Sequence, residues 1–173
     1  MVRNTNWNAK RSDQVARLTL SENEIIPVLE VQAMPIIIRK AILLCPVEDI
    51  WDALTNVSDY QWRRNVSRVR KEDENRFYEY DENGRETEVL VTKKETCKNL
   101  VCSYKNERMT GRVFIKLEGR KNRTIMIITE VVNGTTKEDP SVLGGLARKR
   151  QSRFLADLKK KLNCKELNTV PIM

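Results

Sequence analysis

The stretch that decides the fold is CPVEDIWDALTNVSDYQWRRNVSRV, from Cys45 to Val69. A proline stands at a helix start, and two acidic residues follow where they favour the positive end of the helix dipole. Apolar residues then recur at helical spacing, as Val47, Ile50, Trp51 and Leu54. We interpret the stretch as a strand end, a short amphipathic helix, a second short helix closed by Trp62, and the start of another strand.

Runs of β-branched and apolar residues flank this stretch on both sides. Residues 35–45 predict a first strand, and residues 66–132 contain further segments with the alternation of half-buried strands. The turn residues between them predict hairpins, at Asp81–Gly84, Cys97–Asn99, Met109–Gly111 and Gly119–Asn122. Hairpins in succession build an antiparallel meander, so we expect one antiparallel sheet.

A long amphipathic helix is predicted over residues 141–162, with Ser141 and Asp139 as equal candidates for its N-cap. Its face combines apolar residues with one arginine, at Leu143, Leu146, Ala147, Arg150, Phe154, Leu158 and Leu162. Such a face must be buried, and the concave face of a curved sheet is the large surface available for it. The sequence therefore predicts an α+β domain in which a sheet surrounds one long helix.

The chain of 173 residues suits one domain with extensions. We place the domain at residues 34–163, a partly ordered N-terminal extension at residues 1–33, and a C-terminal tail at residues 164–173. The apolar residues between Ile25 and Val31 indicate that part of the extension packs on the domain or on a second subunit. The role of both segments stays open.

No apolar run approaches the roughly 20 residues that a membrane helix needs. The first residues also lack the apolar region of a secretory signal, so we expect a soluble, cytoplasmic protein without a membrane span. The net charge of +8 lies mostly on the last helix. That charge is typical of a solvated helix face or of an anionic partner, but the chain has no nucleic-acid-binding module.

The chain contains no histidine, which excludes Ser-His and Cys-His nucleophile systems. Its four cysteines form no CxxC pair, so we expect reduced thiols and no metal site. No cofactor motif is present either. Any catalysis would have to use carboxylates, tyrosines, lysines or bound water.

Several short motifs occur in a characteristic order: Pro46–Leu54, Trp62-Arg63, Phe77–Tyr80, Met109-x-Gly111, Arg123-Thr124-x-Met126 and Phe154–Lys159. Together they resemble the START and birch-pollen-allergen superfamily, also called SRPBCC or polyketide cyclase/dehydrase-like. The resemblance covers residues 34–163 and is strongest to uncharacterised bacterial members. Asn122-Arg123 departs from the glycine that usually precedes the threonine of the fifth motif.

The resemblance implies a helix-grip fold, with a curved antiparallel sheet of about seven strands around the long C-terminal helix. Two short helices would follow the first strand. It also implies a cavity between sheet and helix, which the family uses for lipids, steroids, plant hormones and aromatic polyketides. Some branches use it for catalysis or chaperone contact, and the fold alone does not choose among these functions.

Alternation and the family pattern select the residues that face this cavity. On the strands, Val113 and Ile115 oppose charged neighbours, and Thr124 would set the inward face of its strand. The candidate ligand-binding residues are Trp62, Phe77, Glu79, Val89, Val113, Ile115, Met126, Ile128, Glu130, Leu143, Leu146 and Arg150.

Two of these candidates, Glu79 and Glu130, are carboxylates that would face a mostly apolar cavity. Burying them is costly unless they are paired or protonated, and Arg63 and Arg150 are candidate partners. The group could anchor a ligand head group or act as an acid/base pair. The alternatives are solvated carboxylates at strand ends or structural ion pairs.

The sequence leaves three functions open. The leading hypothesis is binding of a small apolar or amphipathic molecule in the cavity, without demonstrable catalysis. The second is an enzyme of the cyclase or dehydratase kind that uses Glu79 and Glu130. The third is an interaction module in which the basic last helix and the N-terminal extension meet an acidic partner or a second copy in a homodimer.

Overall fold

The computed structural model describes residues 34–135 and 138–167. The predicted N-terminal extension, residues 1–33, lies outside the described residues. In chain order the elements are β1 (Ile36–Leu43), α1 (Val47–Thr55), β2 (Arg68–Lys71), β3 (Arg76–Tyr80), β4 (Glu86–Glu95), β5 (Asn99–Lys105), β6 (Met109–Arg120), β7 (Arg123–Gly134), α2 (Pro140–Lys161) and β8 (Glu166–Leu167).

The eight strands form one open antiparallel sheet in the order β2-β3-β4-β5-β6-β7-β1-β8. Strands β2 to β7 are the predicted meander, and β1 joins it by pairing with β7. Helix α2 packs mainly against β7 and β1. The α+β class, the antiparallel sheet and the long C-terminal helix are therefore confirmed. None of the helices in the described part of the chain is long and apolar enough to span a membrane.

The second short helix that the sequence predicts between α1 and β2 does not form. Residues 57–65 form a series of turns, with backbone bonds such as Arg63 N to Tyr60 O and Val66 N to Arg63 O. This segment has no apolar helical face, and its Asn, Ser and Asp side chains compete for backbone groups. It therefore lacks the packing energy that stabilises a short helix.

The structure also corrects the hairpin turn predicted at Met109–Gly111. The turn between β5 and β6 lies before Met109, where the Asn106 side chain accepts bonds from the backbone of Arg108 and Met109. Gly111 is therefore a strand residue.

The predicted tail supplies an eighth strand, because β8 pairs with the end of β1. Asp139 is the N-cap of α2, and its side chain accepts a 2.7 Å bond from Ser141 N.

The core consists of two neighbouring clusters beneath α2. One contains Leu43, Ile50, Met126 and Leu158, all of them fully buried. Trp51 is buried in this cluster and fixes α1 to the sheet, as its helical spacing predicts. The other cluster joins β1, β3–β7 and the first turns of α2. Full burial of each large side chain contributes on the order of 2 kcal/mol.

Gly119 in β6 sets how closely α1 approaches the sheet. A β-carbon at this position would lie 2.7 Å from Cγ1 of Val47, the first residue of α1. We expect Gly119→Ala to lower the free energy of unfolding by about 1–3 kcal/mol, because β-branched Val47 has little freedom to move aside. Urea denaturation measures this change.

Gly145→Ala is the matched control for that prediction. Gly145 is exposed on α2 and has no atom within 4 Å of an added β-carbon, so alanine should stabilise by up to about 1 kcal/mol. Equal stabilities of the two variants would contradict the close contact between Gly119 and α1.

Candidate ligand-binding cavity

A cavity of about 550 Å³ lies between α2 and the inner face of the sheet. Its inner wall is apolar and includes Phe77, Val89, Leu100, Val113, Ile115 and Ile128. Its mouth is charged, because the β3–β4 turn, the β5–β6 turn and α2 bring Arg85, Glu107, Arg108, Lys149 and Arg153 to the rim. The cavity is thus apolar inside and polar at its entrance.

Nine of the candidate residues line this cavity: Phe77, Glu79, Val89, Val113, Ile115, Ile128, Glu130, Leu146 and Arg150. The structure does not place Trp62, Met126 and Leu143 on its wall. Met126 does face inward on β7, but it lies below the cavity in the cluster around Ile50. Leu143 is buried at the start of α2, in the cluster that contains Ile37 and Val132.

Trp62 is one layer removed from the cavity. Its ring packs against Phe154, with ring centroids 5.7 Å apart, and Phe154 in turn lines the wall. Its Nε1 is buried without a hydrogen-bond partner among the described residues. The turns that replace the predicted helix place Trp62 behind the wall, so Trp62 does not line the cavity as predicted.

The most buried polar group in the cavity wall is Glu130 of β7, which is 1 % exposed. Its Oε1 accepts a 2.8 Å bond from the Tyr104 hydroxyl and a close bond from Arg150 Nη2. Its Oε2 accepts a 3.2 Å bond from Gln151 Nε2. Arg150 Nη2 also donates to the Tyr104 hydroxyl at 2.6 Å. We call these four residues the Glu130 cluster.

The electrostatics of the Glu130 cluster keep its hydrogen-bond directions fixed. Burial raises the pKa of Tyr104, although Arg150 opposes this, so the phenol stays protonated and its O–H donates a hydrogen bond to Glu130. Burial also opposes the charge of Arg150, but Tyr104 and Glu130 outweigh it and raise the pKa of the guanidinium. At neutral pH the cluster therefore contains a charged arginine and a neutral tyrosine.

The second carboxylate, Glu79 of β3, has its own partner. Arg63 in the turns after α1 binds it at 2.5 Å, and both side chains are half-buried. Burial and the nearby Glu79 charge raise the pKa of the Cys102 thiol to about 11. Cys102 is therefore protonated at neutral pH and is not a reactive nucleophile.

The Glu130–Arg150 pair is exposed very unequally. The Arg150 side chain is 35 % exposed, whereas the Glu130 side chain is 2 % exposed. The guanidinium is therefore the part of the pair that a bound molecule can contact. Among the described residues, its Nη1 donates a hydrogen bond only to the weak acceptor sulfur of Met109, at 3.4 Å. The described residues contain no group of three or more ligands that could hold a metal ion.

Sequence reasoning did not select Tyr104 and Gln151. Tyr104 has a signal in the alternation of β5, because Leu100, Cys102 and Tyr104 share one face and all line the cavity. Gln151 lies four residues after Ala147 on the buried face of α2. The apolar pattern that predicts buried positions on a helix does not select a glutamine. Gln151 is 3 % exposed, and its Oε1 has no hydrogen-bond partner in the described part of the chain.

No protein-family model and no curated protein matches the chain. Solved structures do match it, among them a START superfamily protein from Mycobacterium smegmatis, which is 9 % identical. The match has a TM-score of 0.67 and covers 76 % of this chain and 98 % of that protein. The chain has a START-like fold.

Two further structures support the START-like fold. A protein from Mesorhizobium loti is 17 % identical, with a TM-score of 0.63, and the match covers 75 % of this chain and 97 % of that one. An uncharacterised protein from Bacillus thuringiensis is 10 % identical, with a TM-score of 0.65 and coverage of 74 % and 98 %. At such low identities the likeness shows the fold alone and does not extend to function.

Proposed function

We propose that the START-like domain binds a small amphipathic molecule in the cavity between α2 and the sheet. The observation that carries this proposal is the Glu130 cluster on the wall of an open, largely apolar cavity of about 550 Å³. Ligand pockets typically have volumes of about 300–1,000 Å³, apolar walls and a few convergent polar groups.

The energetics of the Glu130 cluster support a binding role. Removing two charges from water costs several kcal/mol per ion, and apolar residues of similar volume often serve stability equally well. The pair therefore has no clear advantage as scaffold. Its geometry gives it another use, because Glu130 holds Arg150 with a partly exposed guanidinium facing an apolar space.

This arrangement defines how a ligand would lie. Its apolar body would contact inner-wall residues such as Phe77, Val89 and Ile115, where burial of apolar surface contributes about 25 cal/mol per Å². A ligand oxygen would accept a hydrogen bond from Arg150. A charge-assisted bond of this kind contributes about 1.5–3 kcal/mol.

The pairing of the carboxylates favours binding over acid–base chemistry. A general acid or base must exchange a proton with its substrate, but the two oxygens of Glu130 are bound by Arg150, Tyr104 and Gln151. Glu79 is bound by Arg63. The enzyme hypothesis therefore gains no specific support from these contacts.

The basic surface of α2 gives limited support to an interaction module. Lys159 binds Glu166 at 2.7 Å, and Lys161 binds Asp59 at 2.7 Å, so part of the positive charge is used within the chain. Such contacts are typical of a solvated helix face.

Filling the cavity should weaken binding strongly. In the full-length protein, Val113→Trp places an indole in the cavity, and we expect it to weaken binding of anilinonaphthalene sulfonate at least tenfold in a fluorescence titration. Arg148→Met is the control, because Arg148 is exposed on α2 and does not line the cavity. Equal affinities for all three proteins would refute the proposal.

Native mass spectrometry provides a second readout that does not depend on the probe. Protein purified from its own host should retain a small molecule, and Val113→Trp should lose it while Arg148→Met retains it. Retention of the same molecule by the Val113→Trp variant would place its binding site elsewhere.

A further inference from the structure

We infer that Cys45 and Cys164 are a disulfide-forming pair that can join the end of β1 to the chain after α2. Both side chains are buried, and their sulfur atoms lie 2.9 Å apart. A disulfide has an S–S length of about 2.04 Å, so the sulfurs need to approach by only about 0.9 Å. The inference is independent of what the cavity binds.

The backbone register places the two cysteines opposite each other. Leu43 pairs with Glu166, and Leu44 N donates a 2.8 Å bond to Lys165 O. Continued two positions beyond the last ladder pair, this register brings Cys45 opposite Cys164, at a position that would carry no ladder hydrogen bonds. Such pairs have Cα atoms about 4.5 Å apart, within the range of about 4.4–6.8 Å that disulfides adopt.

Hydrogen bonds hold the backbone of both cysteines in place. Cys45 O accepts a 2.9 Å bond from Thr124 Oγ1, a fully buried side chain of β7. Cys164 N donates a 2.9 Å bond to Lys159 O in the last turn of α2. The bond can therefore form with small side-chain adjustments, and little rearrangement of the sheet is needed.

A low-molecular-weight disulfide such as oxidised glutathione is the oxidant that this step requires. The Cys164 thiolate attacks one glutathione sulfur, forms a mixed disulfide and releases one glutathione thiolate. The Cys45 thiolate then attacks the Cys164 sulfur and releases the second glutathione thiolate. Two protein thiols are oxidised, one oxidised glutathione is reduced, and the two protons pass to the released thiolates.

Access and acidity should make the reaction slow. Both thiols are at most 9 % exposed, so the two-residue strand β8 must open before glutathione reaches Cys164. Burial and the contact with Cys164 also raise the pKa of Cys45 to about 12, which keeps its thiolate fraction small at neutral pH.

Oxidation should stabilise the fold. The bond would close a loop between residues 119 positions apart, and loops of this length lose the most conformational freedom when they are cross-linked in the unfolded chain. Both cysteines share a core cluster with Leu155 and Leu158 of α2. We expect the melting temperature to rise on the order of 10 °C on oxidation.

The test uses the full-length chain with Cys97→Ser and Cys102→Ser, which leaves only the proposed pair. After equilibration in glutathione buffers, the protein is denatured, its free thiols are alkylated, and the intact mass is measured. We expect oxidising buffers to give a species about 2 Da lighter that binds no alkylating reagent. Thermal unfolding of the same samples measures the stabilisation.

The control carries Cys164→Ser in the same background and should form at most a glutathione adduct on Cys45. Peptide mapping of the oxidised wild-type chain should recover Cys45 linked to Cys164. The inference fails if both thiols stay open to alkylation at every glutathione ratio, or if oxidation leaves the melting temperature unchanged.

Discussion

Arg150→Met is expected to lower the free energy of unfolding by about 3 kcal/mol. Within the described residues, the substitution leaves the Glu130 carboxylate buried with Tyr104 and Gln151 as its remaining partners. Breaking a buried pair by removing one partner typically costs about 3–5 kcal/mol. We take the lower end of that range because the Arg150 side chain is still 35 % exposed. Urea denaturation of the wild type and the variant measures the difference.

The double variant Glu130→Gln/Arg150→Met separates the pair from its surroundings. Without the negative charge, no unpaired ion stays buried, so the double variant should be more stable than Arg150→Met alone. Arg148→Met should change the stability by less than about 0.5 kcal/mol. If Arg150→Met is also within that limit, the Glu130–Arg150 contact does not contribute as a buried pair.

The same double variant connects stability to binding. It keeps the apolar walls at Phe77, Val89 and Ile115 but removes the charged donor that a ligand oxygen would contact. We therefore expect it to fold and to bind anilinonaphthalene sulfonate more weakly than the wild type. A folded double variant with unchanged affinity would locate the polar contact elsewhere on the wall.

Elements with strong periodicity could be predicted from the sequence. On β6 the alternation selects Val113 and Ile115, and both line the cavity. On β7 both faces are apolar, and there the family resemblance selects Thr124, Met126, Ile128 and Glu130, all four of which are buried. The apolar spacing of α1 likewise predicts its buried residues Ile50 and Trp51. In these elements one face is buried against the core, so hydrophobic pattern and structure follow the same period.

Other features depend on partners that are distant in sequence. The turns after α1 are fixed by Arg63 binding Glu79 and by Arg64 binding Asp157 of α2 at 2.6 Å. Strand β8 has only two residues and exists because β1 offers a free edge. Neither feature has a local pattern that reveals it, since the stabilising groups lie elsewhere in the chain.

Only two of the four residues of the Glu130 cluster could be predicted from the sequence. Glu130 and Arg150 are charged residues at predicted inward positions. Because burying an unpaired charge is costly, such a position indicates a polar partner nearby. Tyr104 and Gln151 are neutral, so their burial produces no comparable conflict. The pairing of β5 and β7 with the two edges of β6, and the packing of α2 against β7, bring them to the two oxygens of Glu130.

Gly111→Ala should also destabilise the fold by about 3 kcal/mol. Gly111 of β6 lies directly opposite Tyr104 of β5, and the Tyr104 ring covers it. An added β-carbon would overlap the Tyr104 hydroxyl oxygen and lie 2.5 Å from the ring carbon Cζ. The ring cannot swing aside without losing its bonds to Glu130 and Arg150.

This cost should depend on the tyrosine ring. Tyr104→Leu removes the ring, so the double variant Gly111→Ala/Tyr104→Leu should be more stable than the sum of the two single changes predicts. Gly145→Ala, where an added β-carbon meets no atom within 4 Å, is the control for a general glycine effect. Urea denaturation of the wild type, the two single variants Gly111→Ala and Tyr104→Leu, and their double variant gives the coupling energy. Additive effects would mean that Gly111 and Tyr104 act independently, whereas a coupling above about 1 kcal/mol would show that the glycine holds the tyrosine in the Glu130 cluster.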